Sequence, residues 1–280
     1  MRRRKIEPED VPAVLSYLEA LGEEWADEAV GERKIIGLLH RPDGWLAEED
    51  DGAILGVAPA VVSGSWRTFE VATRSADVAR SLIAATVEEH PTDLRVWALR
   101  RRFVDVIVAA GFRPERSLHR MTTPLPIEAE PAGRLAVRGF RPGDEMAWLD
   151  VNNRAFAGHP EQGGLTVEDF IERTELSWWR PEDLRLGVLD GEVVGFCWTK
   201  RHPDGRGEIY AIGVDPAVGG MGLGRELLTA GLGHLADLGC PSAILYVDAG
   251  NEAAMALYLD IGFRREHTDE AFVRDQPKRR

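Results

Sequence analysis

The stretch Ile209-Tyr210-Ala211-Ile212-Gly213-Val214-Asp215-Pro216-Ala217-Val218-Gly219-Gly220-Met221-Gly222-Leu223-Gly224-Arg225-Glu226 decides how the chain is read. It runs as strand, turn, glycines and helix. Glycines between a strand and a helix expose backbone amides at the positive end of the helix dipole, a setting that suits phosphate or pyrophosphate. A Walker loop would need Lys and then Ser or Thr after Gly224. Arg225 and Glu226 stand there instead, which removes the magnesium-binding hydroxyl and adds a repulsive carboxylate. A dinucleotide fingerprint begun at Gly220 and Gly222 would need its third glycine where Arg225 stands. A flexible turn with no ligand is the plain alternative, and glycines alone do not separate it from a cofactor loop.

Working outward, residues 208–214 form the strand that enters the loop, and 225–238 the helix that leaves it. Leu228, Leu232 and Leu235 recur there at helical spacing, and Gly239 supplies the stop. Residues 243–247 return as a strand, Asn251 caps a helix running to 260, and Phe263 opens the last strand. Upstream, 184–189 and 193–199 alternate around Asp190-Gly191, a hairpin turn. Residues 135–138 read as a strand, and 144–156 as a helix with Met146, Leu149 and Val151 facing inward. The sum is an α/β (α+β) chain in which a mixed sheet is flanked by helices.

Pro124, Pro126 and Pro131, with Glu128, Glu130 and Gly133, fill the one stretch where proline fixes the chain and apolar periodicity fails. A linker over 125–133 is expected, between domains 1–124 and 134–280. The two halves read as duplicates in the order of their elements. The clearest echo sets residues 106–113, ending Gly111-Phe112-Arg113, against 257–264, ending Gly262-Phe263-Arg264, an offset of about 151 by the same helix-stop logic.

The 280 residues suit two domains, and 44% hydrophobic with 29% charged residues is ordinary for a globular chain. The net charge of -13 is shared by both halves and argues against a nucleic-acid partner, whose polyanion is held by clustered Lys and Arg. The basic runs 2–5, 100–102 and 278–280 read as solvated tips. Glu7, Glu9 and Asp10 follow the basic start where an export signal would need apolar residues, and no run has the length of a membrane span. Cys197 and Cys240 read as reduced, buried thiols, and the histidines show no zinc-like spacing, so a cytoplasmic protein without a metal is expected.

The glycine segment resembles the acetyl-CoA signature of the GCN5-related N-acetyltransferases (GNATs), with Val214-Asp215-Pro216 closing the strand and Gly222-Leu223-Gly224 opening the helix. Asn251-Glu252-Ala253-Ala254-Met255-Ala256-Leu257-Tyr258 and Gly262-Phe263 fit the same family. The resemblance implies two tandem GNAT-like domains, each with a mixed, mostly antiparallel sheet. It also implies acetyl-CoA held by Ile212, Gly213, Val214, Gly219, Gly220, Met221, Gly222, Leu223, Gly224 and Arg225, and by residues 251–256. Gly219 departs from the family, which usually carries Gln or Arg three positions before the first of the paired glycines. Within the family the match narrows to a tandem-domain branch that acetylates the cysteinyl amine of a glucosaminyl-inositol, the last step in making mycothiol. Its sharpest residues are Val151-Asn152-Asn153, the run 155–164, Trp198-Thr199-Lys200 and His202-Pro203.

An ammonium near neutral pH must lose a proton before it attacks a thioester, and the departing thiolate must gain one. By resemblance Glu208 is the general base, direct or through water, and also holds the substrate. Tyr258, two turns into its helix, is the general acid. The bland readings are a solvated strand-end Glu and a core Tyr. Glu161, Lys200, Tyr246 and, from the first domain, Glu32 match substrate contacts, against a bland reading of solvated or packed side chains; Trp178 and Trp179 are expected to pack. The first domain has no glycine between Gly64 and Gly111, Ile107 stands for Tyr258, Arg100 for Asn251, and Ser65 is the expected counterpart of Glu208. It is therefore expected to be a degenerate unit that shapes the substrate cleft. The rivals are a GNAT acting on another small-molecule or peptide amine, and a noncatalytic acyl-CoA sensor; a monomer is expected in each case.

Overall fold

A computed structural model describes the chain apart from residues 26, 92, 129–132, 160–161 and 276–280. The first half contains β1 (Arg2–Lys5), α1 (Val11–Trp25), α2 (Glu32–His40), β2 (Gly44–Glu48), β3 (Ile54–Ser63), β4 (Trp66–Glu70), β5 (Ala72–Thr73), α3 (Ala76–Glu89), β6 (Leu94–Ala98), α4 (Val104–Ala109) and β7 (Arg113–Pro124). The second contains β8 (Ala136–Gly139), α5 (Glu145–Ala155), α6 (Val167–Thr174), β9 (Leu184–Leu189), β10 (Glu192–Arg201), β11 (Gly207–Val214), α7 (Leu223–Asp237), β12 (Ser242–Asp248), α8 (Glu252–Ile261) and β13 (Arg264–Arg274).

The chain divides into two units, Met1–Leu118 with the chain from Thr268, and His119–His267. The division between the units thus falls after Leu118, ahead of the linker expected over 125–133. Leu125 donates its N–H to the Pro241 carbonyl at 3.0 Å, and Leu125 and Ile127 pack on the second unit's core. Pro131 and Glu130 lie outside the described residues. At the other end, Glu270 to Arg274 of β13 pair antiparallel with β6, so the last strand goes to the first unit. Local periodicity marks a strand but not the partner it finds.

In the first unit the sheet order is β1-β2-β3-β4-β6-β13, with β5 against β3. Period-2 alternation splits its core: Leu46 and Val57 face Val14, Leu18 and Leu21 of α1, whereas Ala47 and Ala58 face Leu82 and Ile83 of α3. In the second unit the order is β8-β9-β10-β11-β12, closed beside β12 by the part of β7 from His119. The pairs β4–β6 and β11–β12 are parallel, and the other ladders described are antiparallel. The mixed, mostly antiparallel sheet flanked by helices is as expected.

The β9–β10 hairpin turns at Asp190 and Gly191, with φ 50° and 89°, the double positive φ of a type I′ turn. Helix α7 packs Leu227, Leu228, Leu232 and Leu235 on one face of the sheet, together with Cys197 and Ile209. On the opposite face Trp148, Leu149 and Val151 of α5 meet Phe170, Phe196 and Trp198. Met146 is 59% exposed, contrary to its expected inward position, because the buried stripe of α5 is carried by Trp148, Leu149, Val151 and Asn152. Both cysteines are buried and unpaired, and burial pushes the Cys197 thiol up to about 12.

Trp148 is the hub of this second core, with its ring 4.9 Å from Phe170, 5.6 Å from Phe196 and 5.4 Å from Trp198. Trp148→Ala is expected to lower the stability of the second unit by about 3–5 kcal/mol in urea unfolding, with Trp148→Phe costing less.

Candidate active site

The site forms where β11 and β12 part. Their parallel ladder has three rungs, Gly207 with Ala243, Glu208 with Ile244 and Ile209 with Leu245. Both strands run on beyond it, β11 to Val214 and β12 to Asp248. At the same level the β10–β11 register shifts: Trp198 opposes Ala211 and Thr199 opposes Ile209, so Tyr210 is the extra residue of a bulge. A bulge bends its strand, and backbone that leaves a ladder must find other partners.

The glycine loop follows directly. Asp215 fixes the turn, its Oδ1 accepting the Ala217 N–H at 2.9 Å and its Oδ2 the Arg154 Nε at 2.9 Å. Gly220 and Gly222 both have φ 79°, a left-handed backbone that a side chain would strain. Gly222 is the N-cap of α7 and brings no side-chain cap; the Arg225 N–H donates to the Gly222 carbonyl at 3.1 Å, so it is the Leu223 and Gly224 amides that suit an external acceptor. Gly224 needs no special φ, and a Cβ there would meet Val214 and Leu257 only at 3.9 Å and 4.0 Å. Neither backbone nor packing explains that glycine, whereas close approach of a ligand does. Glu226 turns inward, accepting the Leu135 N–H at 2.9 Å, so its carboxylate does not face the loop. Arg225 pairs with Asp260 of α8. Met221 and Gly219 are exposed, and Ile212 and Val214 pack on the core beneath. These features fit an acyl-CoA pyrophosphate.

Below the loop lies a buried charged cluster. Glu208 is 6% exposed and pairs directly across the strands with Lys200, which is 7% exposed, so both side chains leave the same face of the sheet. Lys200 Nζ stands 5.1 Å from the Trp178 ring and 5.8 Å from Tyr210, the bulge residue. Glu208 Oε2 is 2.7 Å from His202 Nε2. Burial works against the Glu208 charge, but the His202 hydrogen bond and the charges of Lys200, His202 and Arg120 outweigh it and hold the carboxyl below its ordinary value. His202 and Arg120 carry no role in the sequence reading. Trp178 and Trp179 pack as expected, and Trp178 also borders Lys200.

Tyr258 is 6% exposed and joins the opposite, α7-side cluster with Leu245 and Val247. Burial pushes its phenol up to about 12, so it is neutral at physiological pH. Glu208 and Tyr258 thus stand on opposite faces of the sheet and do not join one cluster. Tyr246 is half-buried on β12. Asn251 caps α8, accepting the Ala254 N–H at 3.1 Å, and Glu252, Ala253, Ala254, Met255 and Ala256 form its first turns. Glu161 lies outside the described residues, and Glu32 stands at the start of α2 in the first unit.

The corresponding place in the first unit is built differently. Its parallel ladder keeps four rungs, through Glu70 with Trp97, and reaches the end of β4. The first turn of α3 is capped from within, Ser75 Oγ accepting the Val78 N–H at 3.4 Å. Ile107 is buried. On the second rung, where the second unit has Glu208, this ladder has Thr68.

The chain is similar to known proteins in sequence and in fold. Residues 148–263 match the acetyltransferase (GNAT) family. A mycothiol acetyltransferase of Thermomonospora curvata is 39% identical over 282 residues, covering 95% of this chain and 94% of that protein. The chain belongs to the mycothiol acetyltransferase family. The mycothiol acetyltransferase of Streptomyces coelicolor is 36% identical, covering 95% of this chain and 92% of its own. In fold, the chain is similar to a GCN5-related N-acetyltransferase from Sphaerobacter thermophilus, at TM-score 0.70 and 22% identity over 97% of this chain and 94% of that one. It is also similar to a tandem GNAT protein from the clavulanic acid biosynthesis pathway, at TM-score 0.70 and 16% identity over 99% of each chain.

Because Gly224 has room for a side chain but faces the loop, Gly224→Val is expected to leave the melting temperature near that of the parent. The same change should weaken acetyl-CoA binding by calorimetry at least about tenfold, a 1.4 kcal/mol loss.

Proposed function

We propose that this member of the mycothiol acetyltransferase family transfers the acetyl group of acetyl-CoA to the cysteinyl amine of a cysteinyl-glucosaminyl-inositol. The observation that carries the reading is the early end of the β11–β12 ladder, with the buried Glu208 carboxylate on its second rung and the start of α7, which has no side-chain cap, following β11. When bound, acetyl-CoA supplies the activated acyl carbon and a thiolate leaving group. The chain supplies position and protons.

The first-turn amides of α7 and the backbone of Gly219 to Arg225 would hold the diphosphate, with Ile212 to Val214 beside the pantetheine arm. Residues 251–256 at the start of α8 would line the other side. Glu208 receives the substrate ammonium and takes its proton, directly or through water. The amine then forms the new C–N bond as the C–S bond breaks. Tyr258 protonates the leaving sulfur, and the surplus proton of the new amide nitrogen restores the phenol, so one proton leaves in total. Lys200, Tyr246 and Glu161 would bind the sugar and inositol hydroxyls. The first unit, whose ladder does not part at this place and whose helix caps itself, would serve as a structural partner. Duplication of one ancestral unit, a monomeric state and a cytoplasmic setting complete the reading.

Incubation with acetyl-CoA and the cysteinyl precursor, followed by mass spectrometry, is expected to show one acetyl group on nitrogen with the thiol free. Tyr258→Phe should lower kcat by about 10²–10⁴-fold. Because the Tyr258 phenol is held above its ordinary value of 10.0, it keeps its proton as the pH rises to that value, and no Tyr258-dependent fall in rate is expected below it. A precursor left unmodified, while another amine is acetylated or acetyl-CoA is only bound, would favour one of the two rivals.

A further inference from the structure

His202 is in hydrogen-bond contact with Glu208, and the proposed reaction leaves it without a task. It sits on the tight connection between β10 and β11, where its N–H donates to the Arg206 carbonyl at 2.9 Å and its carbonyl accepts the Gly205 N–H at 3.0 Å. Asp204 Oδ1 accepts the Arg206 N–H at 3.0 Å and stiffens the same loop. The imidazole is thereby set on a fixed backbone, with Nε2 at 2.7 Å from Glu208 Oε2 and the side chain 12% exposed.

A carboxylate that must orient an amine has two oxygens and a freely turning terminal torsion. At Glu208 the surroundings pull in more than one direction, because Lys200 lies across the strand pair and the Arg120 charge also acts on the carboxylate. If either cation captured the group, it would turn away from the substrate. A donor fixed on one oxygen removes that freedom and leaves Oε1 for the incoming ammonium. The tautomer that gives the carboxylate a hydrogen bond carries its proton on Nε2.

We propose that His202 is a positioning residue for the acetyl transfer, its Nε2–H holding Glu208 Oε2 so that Oε1 faces the substrate amine. This rests on the functional reading above. It assigns His202 no contact with acetyl-CoA, so cofactor binding and amine reactivity should respond differently when it is changed.

The test uses the full chain and three variants, His202→Phe, His202→Gln and Glu208→Gln, with Tm and acetyl-CoA Kd measured alongside steady-state rates on the cysteinyl precursor. His202→Phe should lower kcat/KM for the amine by about 10- to 100-fold, the worth of one charge-assisted hydrogen bond, with the acetyl-CoA Kd unchanged. His202→Gln, whose amide N–H can donate to the same oxygen, should recover most of that loss. In the Glu208→Gln background, adding His202→Phe should cost less than about threefold more. A His202→Phe rate within threefold of the parent, a His202→Gln rate as low as that of His202→Phe, or full additivity with Glu208→Gln would overturn the proposal. Should His202→Phe fail to fold, the Gln variant and its combination with Glu208→Gln decide by the same criteria. Absence of acetylation by the parent chain would instead overturn the functional reading itself.

Discussion

The second unit depends on a ladder that stops early. Three rungs join β11 to β12, and past Ile209 and Leu245 the two strands no longer hold each other. Backbone groups released inside a protein need partners, and an extended ligand arm lying between the strands can supply them. The bulge at Tyr210 belongs to the same event, because it bends β11 away just where the ladder ends. The glycine turn follows β11 directly, and the buried Glu208 carboxylate stands on the second rung of the ladder.

The charged side of the gap is tolerable only as a group. A single carboxylate as buried as Glu208 would neutralise or be expelled, since desolvation penalises its charge. His202, Lys200 and Arg120 supply compensation, and Trp178 and Tyr210 cover the ammonium of Lys200 with aromatic faces. The opposite side is apolar, which keeps Tyr258 protonated. One sheet thus separates an environment that keeps a carboxyl ionised from one that keeps a phenol neutral. The first unit has the same parallel pair but no such division, because its ladder persists and Ser75 spends its hydroxyl on the helix start.

What was legible in the sequence is what local chemistry fixes. Asp190-Gly191 requires a tight turn, Gly222 a helix start, Asn251 a cap and Gly262 a stop, and each stands where the residue type places it. The quoted glycine segment and the resemblance it carries led to the fold and the family. What was hidden lies in pairing and in packing between distant residues. Nothing in residues 264–274 says that their end will join β6, and nothing in the periodicity of α5 chooses Trp148 over Met146 as the buried side chain. Arg120 does not stand out in the sequence, and His202 enters only as part of the resemblance with no role, for the same reason: each becomes relevant only when a strand or loop brings it to Glu208. The one available signal was the spacing of Lys200, His202 and Glu208 across a short connection, which places all three at one end of a hairpin.

Hydrogen–deuterium exchange of the full chain with and without acetyl-CoA tests the central claim most directly, because it reads the backbone amides themselves. Slowed exchange concentrated in residues 219–225, extending into 212–214 and leaving 71–80 unchanged, is the predicted result. Saturating acetyl-CoA that leaves 219–225 exchanging as before, or that protects 71–80 in its place, would contradict the account.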